Sequence, residues 1–152
     1  MSYAIYIGER TTIGPGHYNY DEETGERFAV EKISNINAPV FDCDEMTGNT
    51  NVRSPAYHVW SKFTKEAGLH DLFFNKVNGL MKDHPGIVSI THEHLAAITE
   101  ALIKRSTNNS KIPGFSETED PRYDGTWARL IWLEWWMKYS LQTCKNPSIY
   151  NH

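Results

Sequence analysis

The feature that most constrains the fold is the stretch RLIWLEWWMKYSL, residues 129–141, which contains three of the chain's five tryptophans. On a helical wheel of about 100° per residue, Glu134, Lys138 and Gln142 form one narrow polar stripe. Nearly every other position is apolar, and a helix that is hydrophobic almost all round is normally buried. The sequence therefore predicts a central helix over about 126–144. The alternative is a helix at a subunit or partner interface, where Trp and Tyr are enriched.

The rest of the chain predicts an α+β fold in one domain, residues 1–152, with a short antiparallel β-ribbon and about four helices around the Trp-rich C-terminal helix. Alternation predicts strands at 3–7, ended by Gly8, and at 26–33. The other predicted helices lie at 54–68, at 71–78, and at 92–105 with Thr91 as its N-cap. Irregular sequence predicts long loops at 35–53 and 106–125.

The large apolar residues of these helices fall on faces that can meet. Their spacing predicts one shared core, because each apolar stripe must be buried against another element. The residues expected in it are Trp60, Phe63, Leu102, Trp132 and Trp136.

Charge is uneven along the chain, whose net charge is −4. Residues 1–53 hold four Lys/Arg and nine Asp/Glu. No basic patch is evident, so direct nucleic-acid binding is not expected. Asp42, Asp44 and Glu45 cluster in the first long loop and predict a partner-binding surface for a protein with a basic surface. The alternative is a solvated acidic surface. The second loop adds Phe115 and Tyr123 as possible aromatic anchors for the partner.

Arg129 lies opposite the polar stripe of the central helix, where a guanidinium needs a partner. Three interpretations stay open: an ion pair or cap with Asp120 or Asp124, an anion-binding site beside aromatic faces, or exposure at the helix end. A second candidate ligand surface is formed by His17, Tyr18 and Tyr20 in a Gly-rich segment; the alternative for these three is the edge of a strand.

No motif in the sequence defines a reaction, and no catalytic residue, cofactor or metal is predicted. His92 and His94 are two residues apart, so a helix points them away from each other, whereas zinc-binding helices use i, i+4 pairs. Cys43 and Cys144 have neither metal nor redox spacing. We see no leader-like N-terminus and no stretch of about 20 apolar residues, so we expect a cytoplasmic location and no membrane span.

Three stretches taken together are similar to small accessory proteins encoded by bacteriophages and prophages: SYAIYIGER; then DEMTGNTNVRSPAYHVWSKF with GLHDLFF and HPG; then RLIWLEWWMKYSLQTCKNPSIYN. The resemblance carries no catalytic residues. It implies a non-catalytic binding protein, such as a phage-type inhibitor of a host or defence component (an anti-CRISPR or other anti-defence protein), acting in the host cytoplasm. The alternative is a protein or enzyme that binds a nucleotide or phosphate ligand, including one that sequesters a signalling nucleotide.

Overall fold

The fold is described by a computed structural model, which covers residues 4–15, 26–41, 51–116 and 118–152. These residues form a small antiparallel sheet and four helices, which confirms the predicted α+β class and its Trp-rich C-terminal helix. In chain order the elements are β1 (Ile5–Pro15), β2 (Glu26–Lys32), α1 (Tyr57–Glu66), α2 (His70–Phe74), β3 (Gly86–Ser89), α3 (His92–Ser106), β4 (Ile112–Pro113), β5 (Tyr123–Asp124), α4 (Gly125–Thr143) and β6 (Pro147–Asn151).

The sheet has the strand order β2-β1-β6-β3, and each neighbouring pair is antiparallel. The predicted ribbon of β1 and β2 is confirmed. The sequence did not predict β3 or β6, although β6 lies in the middle of the sheet. Ala4 and His152 exchange backbone hydrogen bonds of 2.8 and 3.0 Å, which continue the pairing of β1 with β6 by one residue.

Gly8 does not end the first strand as predicted, because β1 continues to Pro15. Gly8 lies opposite Lys32 on β2, and a Cβ at this position would overlap the carbonyl oxygen of Glu31. The missing side chain therefore allows the close approach of β1 and β2.

Asn51 and Arg53 complete the edge of the sheet beside the first half of β1. Arg53 forms an isolated antiparallel bridge with Ile5, through backbone hydrogen bonds of 2.7 and 3.0 Å. The side-chain amide of Asn51 accepts from the N–H of Ile7 at 3.3 Å and donates to the carbonyls of Ile7 and Ile33. Both side chains are fully buried. A segment outside the named strands thus satisfies backbone groups that β2 does not reach.

The predicted core is confirmed. Trp60, Trp132 and Trp136 are fully buried, Phe63 is nearly so, and Leu102 packs against the same cluster. The tryptophans of α4 therefore belong mainly to the interior. On the opposite side of the helix, Lys138 and Gln142 are exposed and Glu134 is partly exposed, as the polar stripe predicted.

Two helices differ from their predicted bounds. Helix α1 begins at Tyr57 after an extended Ala56, because the chain is still extended where Arg53 pairs with Ile5; Ser54 does not cap it. Helix α2 ends at Phe74. The side chain of Asn75 accepts hydrogen bonds from the backbone N–H groups of Val77 and Asn78, which turns the chain away from the helix. Elsewhere, Thr91 caps α3 as predicted.

Candidate functional site

The connection between α3 and α4 forms a loop that is closed at its base. Its ends are held by the short parallel pair β4 and β5, in which Ile112 N–H donates to Arg122 O at 2.7 Å and Gly114 N–H donates to Asp124 O at 3.2 Å. The predicted long loop is thus a compact surface loop with a fixed base. Compact loops of this kind often carry function.

This loop brings Phe115 and Tyr123, the two predicted aromatic anchors, to one pocket of about 260 Å³. Gly114 forms part of its wall beneath the ring of Tyr123, since a Cβ there would lie 3.1 Å from Tyr123 Cδ1. Carboxylates contribute to the lining as well. The full lining is Gly114, Phe115, Ser116, Glu119, Asp120, Pro121, Tyr123 and Gly125.

Phe115 lies against two guanidinium groups. The Cζ atom of Arg129 is 4.8 Å from the centre of its ring, and that of Arg53 is 5.9 Å away. The ring of Phe41 meets Phe115 edge to face at 6.2 Å. Cation–π contacts of this kind strengthen when they are removed from water. Phe115 is therefore fixed on its inner side and lines the pocket.

Arg53 is the functional candidate that the sequence did not reveal. It is fully buried, and its Cζ atom lies 5.4 Å from the ring centre of Trp132 and 5.6 Å from that of Trp60. No periodicity marks this arginine, because it follows an irregular segment. The one available signal is its position shortly before a helix with a buried aromatic face.

Gly125 is the point where the pocket meets Arg129. A Cβ on Gly125 would lie 3.1 Å from Arg129 Nη1 and 3.1 Å from Phe115 Cε1. A glycine at the first position of α4 thus leaves room for both groups. The structure therefore brings Arg129 against Phe115, one of the two predicted anchors.

The carboxylates proposed as partners of Arg129 are held by other arginines. Asp124 accepts hydrogen bonds from Arg105, Asn109 and the backbone N–H of Trp127, and so caps α4. Burial raises the pKa of Asp124, but these hydrogen bonds outweigh it and the pKa is lowered. Arg129 instead lies over Phe115, and over Phe63 at 6.0 Å.

Asp120 supplies to the pocket a carboxylate that is paired with Arg122. Hydrogen bonds from the side chain and backbone of Arg122 lower the pKa of the Asp120 carboxyl to about 2. Glu119 beside it has a backbone φ of +56°, a left-handed conformation that is uncommon for a residue with a side chain. Such strain often accompanies functional loops.

The other predicted site residues lie outside the described part of the chain. These are His17, Tyr18, Tyr20, Asp42, Asp44 and Glu45. The last three follow closely on Phe41, whose ring contacts Phe115, so the described structure connects the two predicted partner segments through one aromatic pair.

His94 of α3 has a structural role at the start of the helix. His94 Nδ1 accepts a hydrogen bond from the N–H of Thr91 at 3.0 Å, which completes the cap of the helix. Burial lowers the pKa of His94, which favours the neutral ring that this acceptor role requires. Among the described residues, no group of three or more His, Cys, Asp or Glu is arranged to hold a metal ion.

Comparison with protein-family models, with curated proteins and with solved structures gives no match. Within the described residues, every helix is too short or too polar to cross a lipid bilayer.

Proposed function

We propose that this chain is a non-catalytic binding protein whose Phe115–Tyr123 pocket receives a side chain from a protein partner. The observation that carries the proposal is that the loop closed by β4 and β5 brings both aromatic residues to one concave surface. Aromatic residues at a pocket supply contact area at low conformational cost, and they commonly dominate binding energies.

The charge at the pocket favours a partner with a basic surface. Glu119 contributes an exposed carboxylate to the lining, whereas the charge of Asp120 is paired with Arg122. Asp42, Asp44 and Glu45 follow Phe41 in the chain and would add long-range attraction for the same partner. Extending the resemblance to phage accessory proteins, we propose a host or defence protein as this partner, bound and inhibited in the host cytoplasm.

A quantitative pull-down tests this proposal. The chain is immobilised, exposed to bacterial lysate, and the retained proteins are identified by mass spectrometry. We expect at least one protein to be retained by the parent and lost from Tyr123→Ala, because Tyr123 is 37% exposed at the pocket. Tyr57→Ala is the matched control, since Tyr57 is 48% exposed on a different element. The proposal would be rejected if both variants retained the same proteins in equal amounts, or if the parent retained no protein at all.

The partly exposed guanidinium of Arg129, 4.8 Å from the centre of the Phe115 ring, favours a second candidate, a phosphate-bearing ligand such as a nucleotide. Arginine recognises phosphate with two parallel hydrogen bonds, and an aromatic face can stack a base. Under this candidate, Arg129 would contact the phosphate, and His17, Tyr18 and Tyr20 remain possible ligand residues. Titration calorimetry with a panel of nucleotides and inorganic phosphate tests it: binding that Arg129→Gln abolishes would support this function over protein binding.

A further inference from the structure

Strand β2 forms one edge of the four-stranded sheet. Among the described residues, it has a strand on one side only, namely β1. The N–H of Ile33, directly after β2, donates to Ile7 O on β1 at 3.4 Å. Backbone groups alternate sides along an antiparallel strand. The N–H and C=O groups of Phe28, Val30 and Lys32 therefore point away from β1, towards the open edge, where they form a template for another strand.

The charges near the end of β2 are not matched within the hairpin. Glu31 lies opposite Glu9, which has the same charge and whose carboxylate accepts from the backbone N–H groups of Lys145 and Asn146. Lys32 lies opposite Gly8, which has no side chain. Glu31 and Lys32 are both exposed, and neither forms an ion pair with another described residue. Their charges are therefore available to a partner beyond the edge.

We propose that β2 pairs antiparallel with β2 of a second copy of this chain. The twofold axis of the pairing passes between the two copies of Ala29, and the two four-stranded sheets join into one sheet of eight strands. The strand reads Glu-Arg-Phe-Ala-Val-Glu-Lys, and its charge signs reverse about Ala29. Pairing about that residue sets position 26 opposite 32, position 27 opposite 31, and Phe28 opposite Val30. Opposite charges and aromatic–β-branched pairs across strands both stabilise a sheet.

Of the registers that set outward-pointing residues of the two strands opposite each other, only the one about Ala29 pairs opposite charges within β2. A pairing centred on Val30 sets Lys32 opposite Phe28, and one centred on Glu31 sets two glutamates against each other. Like charges directly opposite each other are destabilising. The pairing about Ala29 also fits the backbone, because it makes Phe28 and Val30, whose polar groups point outward, a hydrogen-bonded pair. The occupant favoured by charge and backbone together is a second copy in a closed twofold arrangement.

Sedimentation equilibrium over roughly 1–300 µM protein tests this dimer, since a self-associating mass rises with concentration. We expect the parent to approach the dimer mass. Lys32→Glu places like charges at two symmetric contacts and should weaken the dimer by about tenfold or more. Adding Glu26→Lys restores opposite charges across the twofold axis and should recover the parent behaviour.

Lys76→Glu is the matched control, because it makes the same charge change at an exposed position far along the chain from β2. Circular dichroism confirms that each variant is folded before its mass is compared. A parent that stays monomeric throughout, a Lys32→Glu variant that dimerises like the parent, or a folded double variant that stays monomeric would each overturn the proposal.

Discussion

Arg105 holds the carboxylate of Asp124 with two hydrogen bonds, from Nε at 2.8 Å and from Nη2 at 3.0 Å. Arg105 belongs to the last turn of α3, and Asp124 is the residue that caps α4. One nearly buried carboxylate therefore joins the end of one helix to the start of the next, and it also fixes the base of the pocket loop.

Replacing this carboxylate should lower stability. We expect Asp124→Asn to reduce the free energy of unfolding by about 1–3 kcal/mol at pH 7, because Arg105 loses its charged partner while the helix keeps a capping side chain. Urea denaturation measures the change. The control is Asp83→Asn at an exposed position, which should cost less than about 0.5 kcal/mol. Equal costs in the two variants would contradict the role of Asp124.

The same substitution predicts a pH dependence. The pKa of Asp124 is lower in the folded protein than in the unfolded chain, where it is about 3.9. The ionised carboxylate therefore contributes stability above that pH, and the contribution is lost as pH falls through the folded pKa. We expect the stability gap between the parent and Asp124→Asn to narrow in denaturation series taken below about pH 4. A constant gap down to about pH 2 would show that charge is not the source of the effect.

Trp136 and Trp135 are neighbours with different surroundings. Trp136 is fully buried, whereas Trp135 is partly exposed and stacks on Tyr139 at 5.3 Å. Trp136→Ala should destabilise the protein by about 3–5 kcal/mol, and Trp135→Ala by roughly half as much, because less apolar area is lost. Chemical denaturation of both variants checks the order. If Trp136→Ala were within about half a kcal/mol of the parent, α4 would not be central.

Gly8 should tolerate no side chain. A Cβ there would overlap the Glu31 carbonyl oxygen, so Gly8→Ala must push β1 and β2 apart at a cost of about 2 kcal/mol or more. Gly68→Ala is the comparison, because Gly68 has open space around it but a φ of +72°. That substitution should cost about 1 kcal/mol from backbone strain alone. Thermal unfolding measures the stability of both variants. If the two substitutions lowered stability equally, the close approach of β1 and β2 at Gly8 would be contradicted.

The acidic segment should control the rate of association. Reversing the charges of Asp42, Asp44 and Glu45 together should slow association with the captured partner by roughly tenfold at low salt. The effect should shrink as salt screens the attraction, so measurement in about 0.5 M salt provides the control. An unchanged association rate for a folded triple variant would assign recognition to the pocket loop alone.

The sequence predicted those elements whose signal is local. Apolar residues on nearly every side of α4 identified it as the buried helix. Thr91 marked the start of α3, because a capping hydroxyl binds a backbone N–H within three residues. Strands β3 and β6 were missed because four or five residues are too few for an alternating pattern to stand out. The pairing of β6 with β1 and with β3 depends on contacts between distant parts of the chain.

The candidate site was predicted only in part, because its geometry also depends on contacts between distant residues. Phe115 and Tyr123 were named as aromatic residues on a loop, but their meeting at one pocket depends on β4 and β5, a pairing of only two residues each. Arg129 was correctly identified as a charge on an apolar face. Its contact with Phe115 and the burial of Arg53 beside it depend on tertiary packing, which side-chain periodicity does not encode.

The central position of β6 has a consequence for biosynthesis. Ile7 on β1 pairs with Ile149 on β6, so a ribosome must add all the residues between them before that pair can form. At about 5–20 residues per second, β1 waits on the order of ten seconds for its neighbour. During that time the edge of β1 that will pair with β6 has no strand beside it, in addition to the outer edge of β2. The sheet therefore closes only after Ile149 has been synthesised, and pairing across so long a separation in sequence slows folding.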